Sequence, residues 1–268
     1  MNYKHIFPTF RSRYNFVRDR LKVLSQYSPF QKGLNLGTGE GDYDKMIAGF
    51  CGQLTAVDIN DADVEFASQM NKETKNLDYQ VDDALKLSFA DQTFDLLISI
   101  EVIEHVGKPD VMMREIARVL QPEGIAIITF PSINYPFTYD PINRILSLFS
   151  NKRIPLGAYG YGHDYLVSRK DFIAWATQNQ LEVIEEVSLG GYLTGLIELY
   201  WPGALQKVLK ANSNNLYSEK QKKFVLRPST KVPWLAKITD FIIFVDRMLF
   251  GWLKVSVCRG FVLKKKEN

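Results

Sequence analysis

The chain has 268 residues, 46% of them hydrophobic and 24% charged, and a formal net charge of +3. That length suits one large α/β domain or a domain with a sizeable insertion, and the composition is ordinary for a globular protein. The small net charge makes no case for nucleic acid, the two cysteines form neither a disulfide framework nor a metal-ligand spacing, and no stretch of about 18 residues is both apolar and uncharged.

The opening residues, MNYKHIFPTFRSRYNF, hold no apolar run of the signal-peptide kind. With the cysteine usage this sets a cytoplasmic expectation. Phe16, Val17, Leu21 and Leu24 fall near helical spacing among Arg18, Asp19, Arg20 and Lys22, so residues 1–30 read as a helical lead-in stopped by Ser28-Pro29. His5, near the terminus, is expected to be exposed.

Gly33-Leu34-Asn35-Leu36 then reads as a short buried strand. It runs into Gly37-Thr38-Gly39-Glu40-Gly41, and an amphipathic segment follows from Asp42 to Phe50. Such glycines let the chain turn tightly and leave a ligand room against bare main chain, while the helix start offers unpaired N–H groups. A second strand, Leu54-Thr55-Ala56-Val57, ends at Asp58, about 20 residues beyond Gly37, the gap at which a Rossmann acid meets ribose hydroxyls. A dinucleotide fingerprint wants its third glycine where this chain has Asp42, and an acid there faces a pyrophosphate badly. A nicotinamide oxidoreductase is therefore disfavoured. The G-x-G-x-G spacing of Gly37, Gly39 and Gly41 instead resembles motif I of the class I S-adenosylmethionine-dependent methyltransferases, whose cofactor carries no phosphate.

A helix from Ala62 to Met70, capped by Asn60 or Asp61, leads to a third strand, Leu77 to Val81, and to Asp82-Asp83-Ala84. Phe94 to Ile100 reads as a fourth, central strand. Lys108-Pro109 opens the next helix, which ends at a turn, Gln121-Pro122-Glu123-Gly124, before a fifth strand from Ile125 to Phe130. The runs VDDALKLSFADQTFDLLISIEVIEHV and REIARVLQPEGIAIITFPS are again similar to that family, on its small-molecule, quinone-methyltransferase-like side. Strands alternating with helices predict an α/β fold, a doubly wound, mostly parallel sheet, and the crossover rule puts Gly37, Asp58, Asp83 and Glu101 on one edge of it. The resemblance implies seven strands in a Rossmann-like arrangement, the last often antiparallel at the sheet's end.

Pro131 to Gly162 is rich in Pro, Tyr, Gly and Asn, with a short amphipathic piece, Ile142 to Phe149. Its Tyr135, Phe137, Tyr139, Tyr159 and Tyr161 are candidates to line a substrate pocket. Ser168 caps a helix from Arg169 to Gln178, with Asp171 in its first turn, and Leu181 to Val187 is a sixth strand. Residues 190–251 break the alternation. Leu235 to Phe250 is apolar over most of a helix, with Lys237, Asp240 and Arg247 as a narrow polar stripe. The expected organisation is one methyltransferase domain, 1–268: lead-in 1–30, core 32–189 and 254–264, and a helical lid, 190–251, inserted before the closing strand Val255 to Leu263.

The resemblance implies S-adenosylmethionine as cofactor. Its contacts carry over to Asn35, Gly37, Thr38, Gly39 and Gly41 in the turn, Asp58 and Ile59 at the ribose, and Ile100 and Glu101 after the fourth strand. Asp83 and Ala84 fall on the adenine side, with Asp82 as second choice for the acid. Tyr14 or Arg18 of the lead-in is expected at the cofactor's edge. Motif I usually has an acid where Asn35 stands. An amide oxygen accepts a hydrogen bond but brings no charge, so somewhat weaker binding is expected.

Methyl transfer from a sulfonium is an in-line displacement, so the protein mainly aligns and desolvates, and supplies a base for a hydroxyl, amine or acidic carbon. Of the three histidines, His163, beside Asp164 on the substrate side, ranks ahead of His105 as that base. Glu101, Glu104 and His105 stand at i, i+3 and i+4. On a helix they would share a face, and some quinone-pathway O-methyltransferases hold a divalent ion with such a run. The preferred reading has no metal.

The expected function is methyl transfer, chiefly to oxygen, on a small-molecule, lipid-linked or saccharide acceptor. Weak peripheral contact with the inner membrane face, through Phe241 to Trp252 and the lysines at 264–266, is a further expectation. No nucleic acid is expected, because the fourth strand is followed by Glu101-Val102 and not by an Asn/Asp-Pro-Pro-aromatic run. The alternative is a protein that binds S-adenosylmethionine without transferring its methyl group and acts as a regulatory or interaction partner.

Overall fold

A computed structural model describes residues 1–27, 29–131, 141–150, 167–195, 229–253 and 256–267. Seven strands, β1 (Phe30–Leu36), β2 (Cys51–Asp58), β3 (Leu77–Val81), β4 (Phe94–Ile100), β5 (Leu120–Pro131), β6 (Leu181–Leu189) and β7 (Cys258–Lys265), make one sheet in the order β3-β2-β1-β4-β5-β7-β6. Every pairing from β3 across to β5 is parallel. The labelled helices are α1 (Pro8–Leu24), α2 (Asp44–Ala48), α3 (Asp61–Asn71), α4 (Pro109–Val119), α5 (Pro141–Leu146), α6 (Arg169–Gln178) and α7 (Ala236–Phe250).

The doubly wound sheet forms for the expected reasons. Leu34, Leu36, Leu97, Ile98, Ala126 and Ile128 are fully or almost fully buried, as strands covered on both faces require. The caps read from sequence are made: Asn60 Oδ1 accepts from Ala62 N at 3.1 Å, and Ser168 Oγ accepts from Asp171 N at 3.0 Å. The rings of Phe130, Phe172 and Phe261 pack together, with Phe172 and Phe261 centroids 4.5 Å apart.

Several expectations change. The Gln121–Gly124 turn is not a break between helix and strand. β5 starts at Leu120, at the end of α4, and the register jumps from Phe94↔Leu120 to Leu96↔Ile125. The Pro-Glu-Gly piece is thus an irregularity within the strand, with Glu123 at φ 65°. The last strand is not at the sheet's end: β7 lies between β5 and β6. There the Nζ of buried Lys265 donates to Leu120 O at 2.7 Å. Finally, Glu101 to His105 do not begin a helix; they form a turn, and α4 starts at Pro109.

The chain divides into two compact units. One comprises Arg13–Phe130, Val167–Val187 and Gly260–Asn268; the other comprises Met1–Ser12, Pro131–Leu166 and Ser188–Arg259. In the second, the first residues of the chain hold α7: Arg11 donates twice to Asp240, each at 2.8 Å, and Thr239 Oγ1 donates to Ile6 O at 3.0 Å. His5 is buried, not exposed, with its Nδ1 3.2 Å from Arg11 Nη1. Among the described residues no helix is long and apolar enough to cross a membrane.

Candidate functional site

The order β3-β2-β1-β4-β5 reverses direction at β1, which has β2 on one side and β4 on the other. A crevice outside the carboxyl ends of the strands at such a reversal is where open α/β sheets bind ligands. The registers Leu36↔Val57, Leu36↔Ser99, Asp58↔Val81 and Ile100↔Thr129 set those ends side by side. Gly37, Asp58, Asp82, Asp83 and Glu101 therefore share one edge of the sheet.

The glycine turn needs its glycines. Gly37, Gly39 and Gly41 have φ of 78°, 51° and 75°, a region costly for residues with a Cβ. At Gly37 a Cβ would sit 2.2 Å from Val102 Cγ2. At Gly39 it would meet nothing within 4 Å among the described residues, so against these the outer face of the turn is bare. Gly37 N and Thr38 N both donate to Val57 O, at 2.8 and 2.9 Å, which locks the turn to β2. Asp58 then reaches across: its Oδ2 accepts from Gly39 N at 2.8 Å and its Oδ1 from Asn60 N at 3.0 Å. Ile59 beside it is exposed.

Beneath the turn lies a polar node that sequence reasoning missed. Asp44, the first residue of α2, is fully buried and accepts from Asn35 Nδ2 at 2.5 Å, Thr38 Oγ1 at 2.7 Å and Tyr79 OH at 2.7 Å. Burial pushes its carboxyl pKa up, against the pull of those three donors. Asn71 Nδ2 adds a bond to Gly41 O at 3.0 Å. Asn35 and Thr38 thus spend a donor on Asp44, and Asn35 offers its oxygen for any further partner. An acid in a helix's first turn was the only sequence signal for Asp44.

The two adjacent acids after β3 are used differently. Asp82 accepts from Asp83 N at 2.9 Å, Ser88 N at 3.1 Å and Ser88 Oγ at 2.9 Å, so both its oxygens serve the turn. Asp83 is exposed and accepts from Leu85 N at 2.9 Å through Oδ1. Its Oδ2 takes part in no described bond, and half-buried Ala84 follows.

At the end of β4, half-buried Ile100 precedes Glu101, which stands at φ 56°. Glu101 accepts from Thr129 Oγ1 at 3.1 Å and lies 3.4 Å from Arg13 Nη1. The lead-in helix thus reaches the edge through Arg13. Tyr14 packs its ring 5.7 Å from that of buried Tyr43, whereas Arg18 pairs with Asp19. Arg13 carried no sequence signal beyond lying one residue before Tyr14. Glu104 is buried, and its two carboxyl oxygens have no hydrogen-bond partner among the described residues. Burial first, and the neighbouring Glu101 charge second, push its pKa well up. His105 is exposed, its Nε2 3.9 Å from Glu104 Oε1. Among the described residues no three His, Cys, Asp or Glu side chains stand close enough to hold a metal ion. His163 and the aromatic set Tyr135, Phe137, Tyr139, Tyr159 and Tyr161 lie outside the described residues.

Sheet order and glycine turn together define the Rossmann-like fold of class I methyltransferases. Residues 34–128 match the family model described as a methyltransferase domain. The chain is 26% identical over 125 residues to a ubiquinone biosynthesis O-methyltransferase from Parvibaculum lavamentivorans, covering 44% of this chain and 49% of the relative. It is 31% identical over 106 residues to a 2-methyl-6-phytyl-1,4-hydroquinone methyltransferase from Synechocystis, covering 39% of this chain and 33% of the relative. It therefore spans about half or less of the length of these two relatives. A solved structure, titled a putative sarcosine dimethylglycine methyltransferase from Galdieria sulphuraria, superposes with a TM-score of 0.60 at 17% identity, covering 96% of this chain and 88% of that one. Residues 34–128 thus resemble a methyltransferase domain, and the sheet has the fold of the solved methyltransferase-like structures.

Proposed function

We propose that the chain transfers a methyl group from S-adenosylmethionine to a small, partly apolar acceptor, chiefly at oxygen. The observation that carries this is Asp58, which holds Gly39 N at the carboxyl edge of the sheet beside a bare glycine turn. In this reading Asn35, Gly37, Thr38, Gly39 and Gly41 receive the methionine part, Asp58 and Ile59 the ribose, and Asp83 and Ala84 the adenine. Ile100 and Glu101 close the far side. Asp83 is preferred to Asp82 because Asp83 is exposed, while the half-buried Asp82 is tied to three donors of its own turn.

When bound, the cofactor supplies a methyl on a sulfonium, already activated for displacement. The chain's own residues then align the acceptor, exclude water and take up a proton. His163, and after it His105, are the proposed bases. The two relatives carry ubiquinone and phytyl-hydroquinone in their names. They support an acceptor with an apolar or lipid-linked tail, and with it weak peripheral contact with a membrane.

The test is isothermal titration of the purified chain with S-adenosylmethionine, S-adenosylhomocysteine and NADH, alongside Asp58→Ala. Binding of both adenosyl ligands, lost in the variant, is expected. Binding of NADH alone would overturn the proposal.

A further inference from the structure

Helix α7 is built inside out. Ala236, Thr239, Ile243 and Asp246 recur at helical spacing and form its buried side. Two of these are polar and are satisfied within their own compact unit. Thr239 donates to Ile6 O, and Asp246 accepts from Leu193 N at 3.3 Å and Thr194 N at 2.9 Å. The opposite side carries the large apolar residues: Ile238, Phe241, Ile242, Phe244, Met248 and Leu249 are between 45% and 65% exposed. Trp234 before the helix and Trp252 after it are more exposed still. A helix facing water has the reverse order, with its apolar stripe inward.

The charges follow the same division. Within 229–253 the acids are Asp240, bound to Arg11, and Asp246, buried. The cations Lys231, Lys237 and Arg247 are exposed. An apolar face that carries Lys237 in its first turn and is bordered by Arg247, with its acids withdrawn, complements an anionic bilayer surface: the rings enter the headgroup–acyl boundary and the cations reach lipid phosphates. At 15 residues α7 is too short to span a bilayer. We propose that α7, with Trp234 and Trp252, lies in the plane of an anionic membrane surface. This names the surface and the partner for the peripheral contact proposed above, and rests on that reading.

The test uses the full chain, floated with vesicles of phosphatidylcholine alone or mixed with phosphatidylglycerol, and with brominated lipid to quench tryptophan. Flotation with the anionic vesicles, with quenching reduced in Trp252→Phe, is expected. Phe241→Ser with Phe244→Ser lowers the bound fraction about tenfold or more, because binding scales with buried apolar area. Lys237→Gln lowers it roughly fivefold, on anionic vesicles only. No flotation would overturn the proposal, as would flotation indifferent to Phe241 and Phe244. So would a lipid-free chain whose Trp252 is shielded from a soluble quencher, since a second copy or another segment would then occupy the face. Circular dichroism confirms that the variants fold, and S-adenosylhomocysteine is titrated into each. The titration separates the two claims: vesicle binding without adenosyl binding sinks the transferase reading alone, and adenosyl binding without vesicle binding sinks this one alone.

Discussion

Glu101 holds a left-handed backbone, φ 56°, at the end of β4. That conformation costs a residue with a Cβ about 1–2 kcal/mol, and such outliers gather at functional sites. Three residues on, Glu104 is buried with a raised pKa, so the folded chain holds its proton more tightly than the unfolded chain. The resulting stability is complete below the unfolded value of about 4.3 and is lost as pH rises through the raised folded value. Glu104→Gln has no carboxyl to ionise. Its thermal midpoint should stand closest to the parent's below about pH 4.3 and exceed it increasingly as pH rises above that value. Equal midpoints across that range would show that Glu104 ionises freely. At this scale the sequence was readable where spacing alone selects the residue. Gly37, Gly39, Gly41 and Asp58 stand out because turn geometry and the strand-to-strand interval prescribe them. Asp44 and Arg13 did not, because their partners come from residues distant in sequence, and the spacing that drew notice to Glu104 said nothing of its burial.

Most elements were legible through periodicity and caps. β3 and β4 have the predicted ends, and α6 begins after its serine cap. α7 shows where periodicity stops helping. The sequence shows a narrow polar stripe of Lys237, Asp240 and Arg247, but not that the helix turns Thr239 and Asp246 inward and Phe241 and Phe244 outward. Hydropathy cannot tell which face of a nearly all-apolar helix finds polar partners; the donors at Leu193 and Thr194 and the acceptor at Ile6 decide it. Asp246 also takes a 2.5 Å bond from Thr194 Oγ1, and a Cβ on Gly191 would sit 2.1 Å from its Oδ2. Asp246→Ala strands those buried donors and should cost about 2–3 kcal/mol in urea unfolding. A loss near zero would mean that α7 is held by Arg11 and the chain's first residues instead.

At the scale of the molecule, alternation of strand and helix was enough to announce a doubly wound sheet and the edge on which its motifs meet. The strand order on the far side was not, since nothing local in Cys258–Lys265 says that it slots between β5 and β6. A ligand that binds only the folded chain stabilises it by mass action. S-adenosylhomocysteine at about 100 times its dissociation constant should therefore add roughly 2.7 kcal/mol, a rise in Tm of about 5 °C or more. NADH at the same concentration should leave the midpoint unchanged.

The slot taken by β7 also orders the birth of the protein. β5 and β6 are translated long before residues 258–265, yet neither has its final neighbour until that last segment arrives. Until then two strand edges stand open, the kind of surface on which nascent chains stick to one another. A reading frame interrupted shortly before Cys258 would thus yield the glycine turn and its acid intact but a sheet with a missing slat. Such a product is expected in the insoluble fraction of a cell, since Cys258–Lys265, far from the glycine turn in sequence, is the strand that joins β5 to β6.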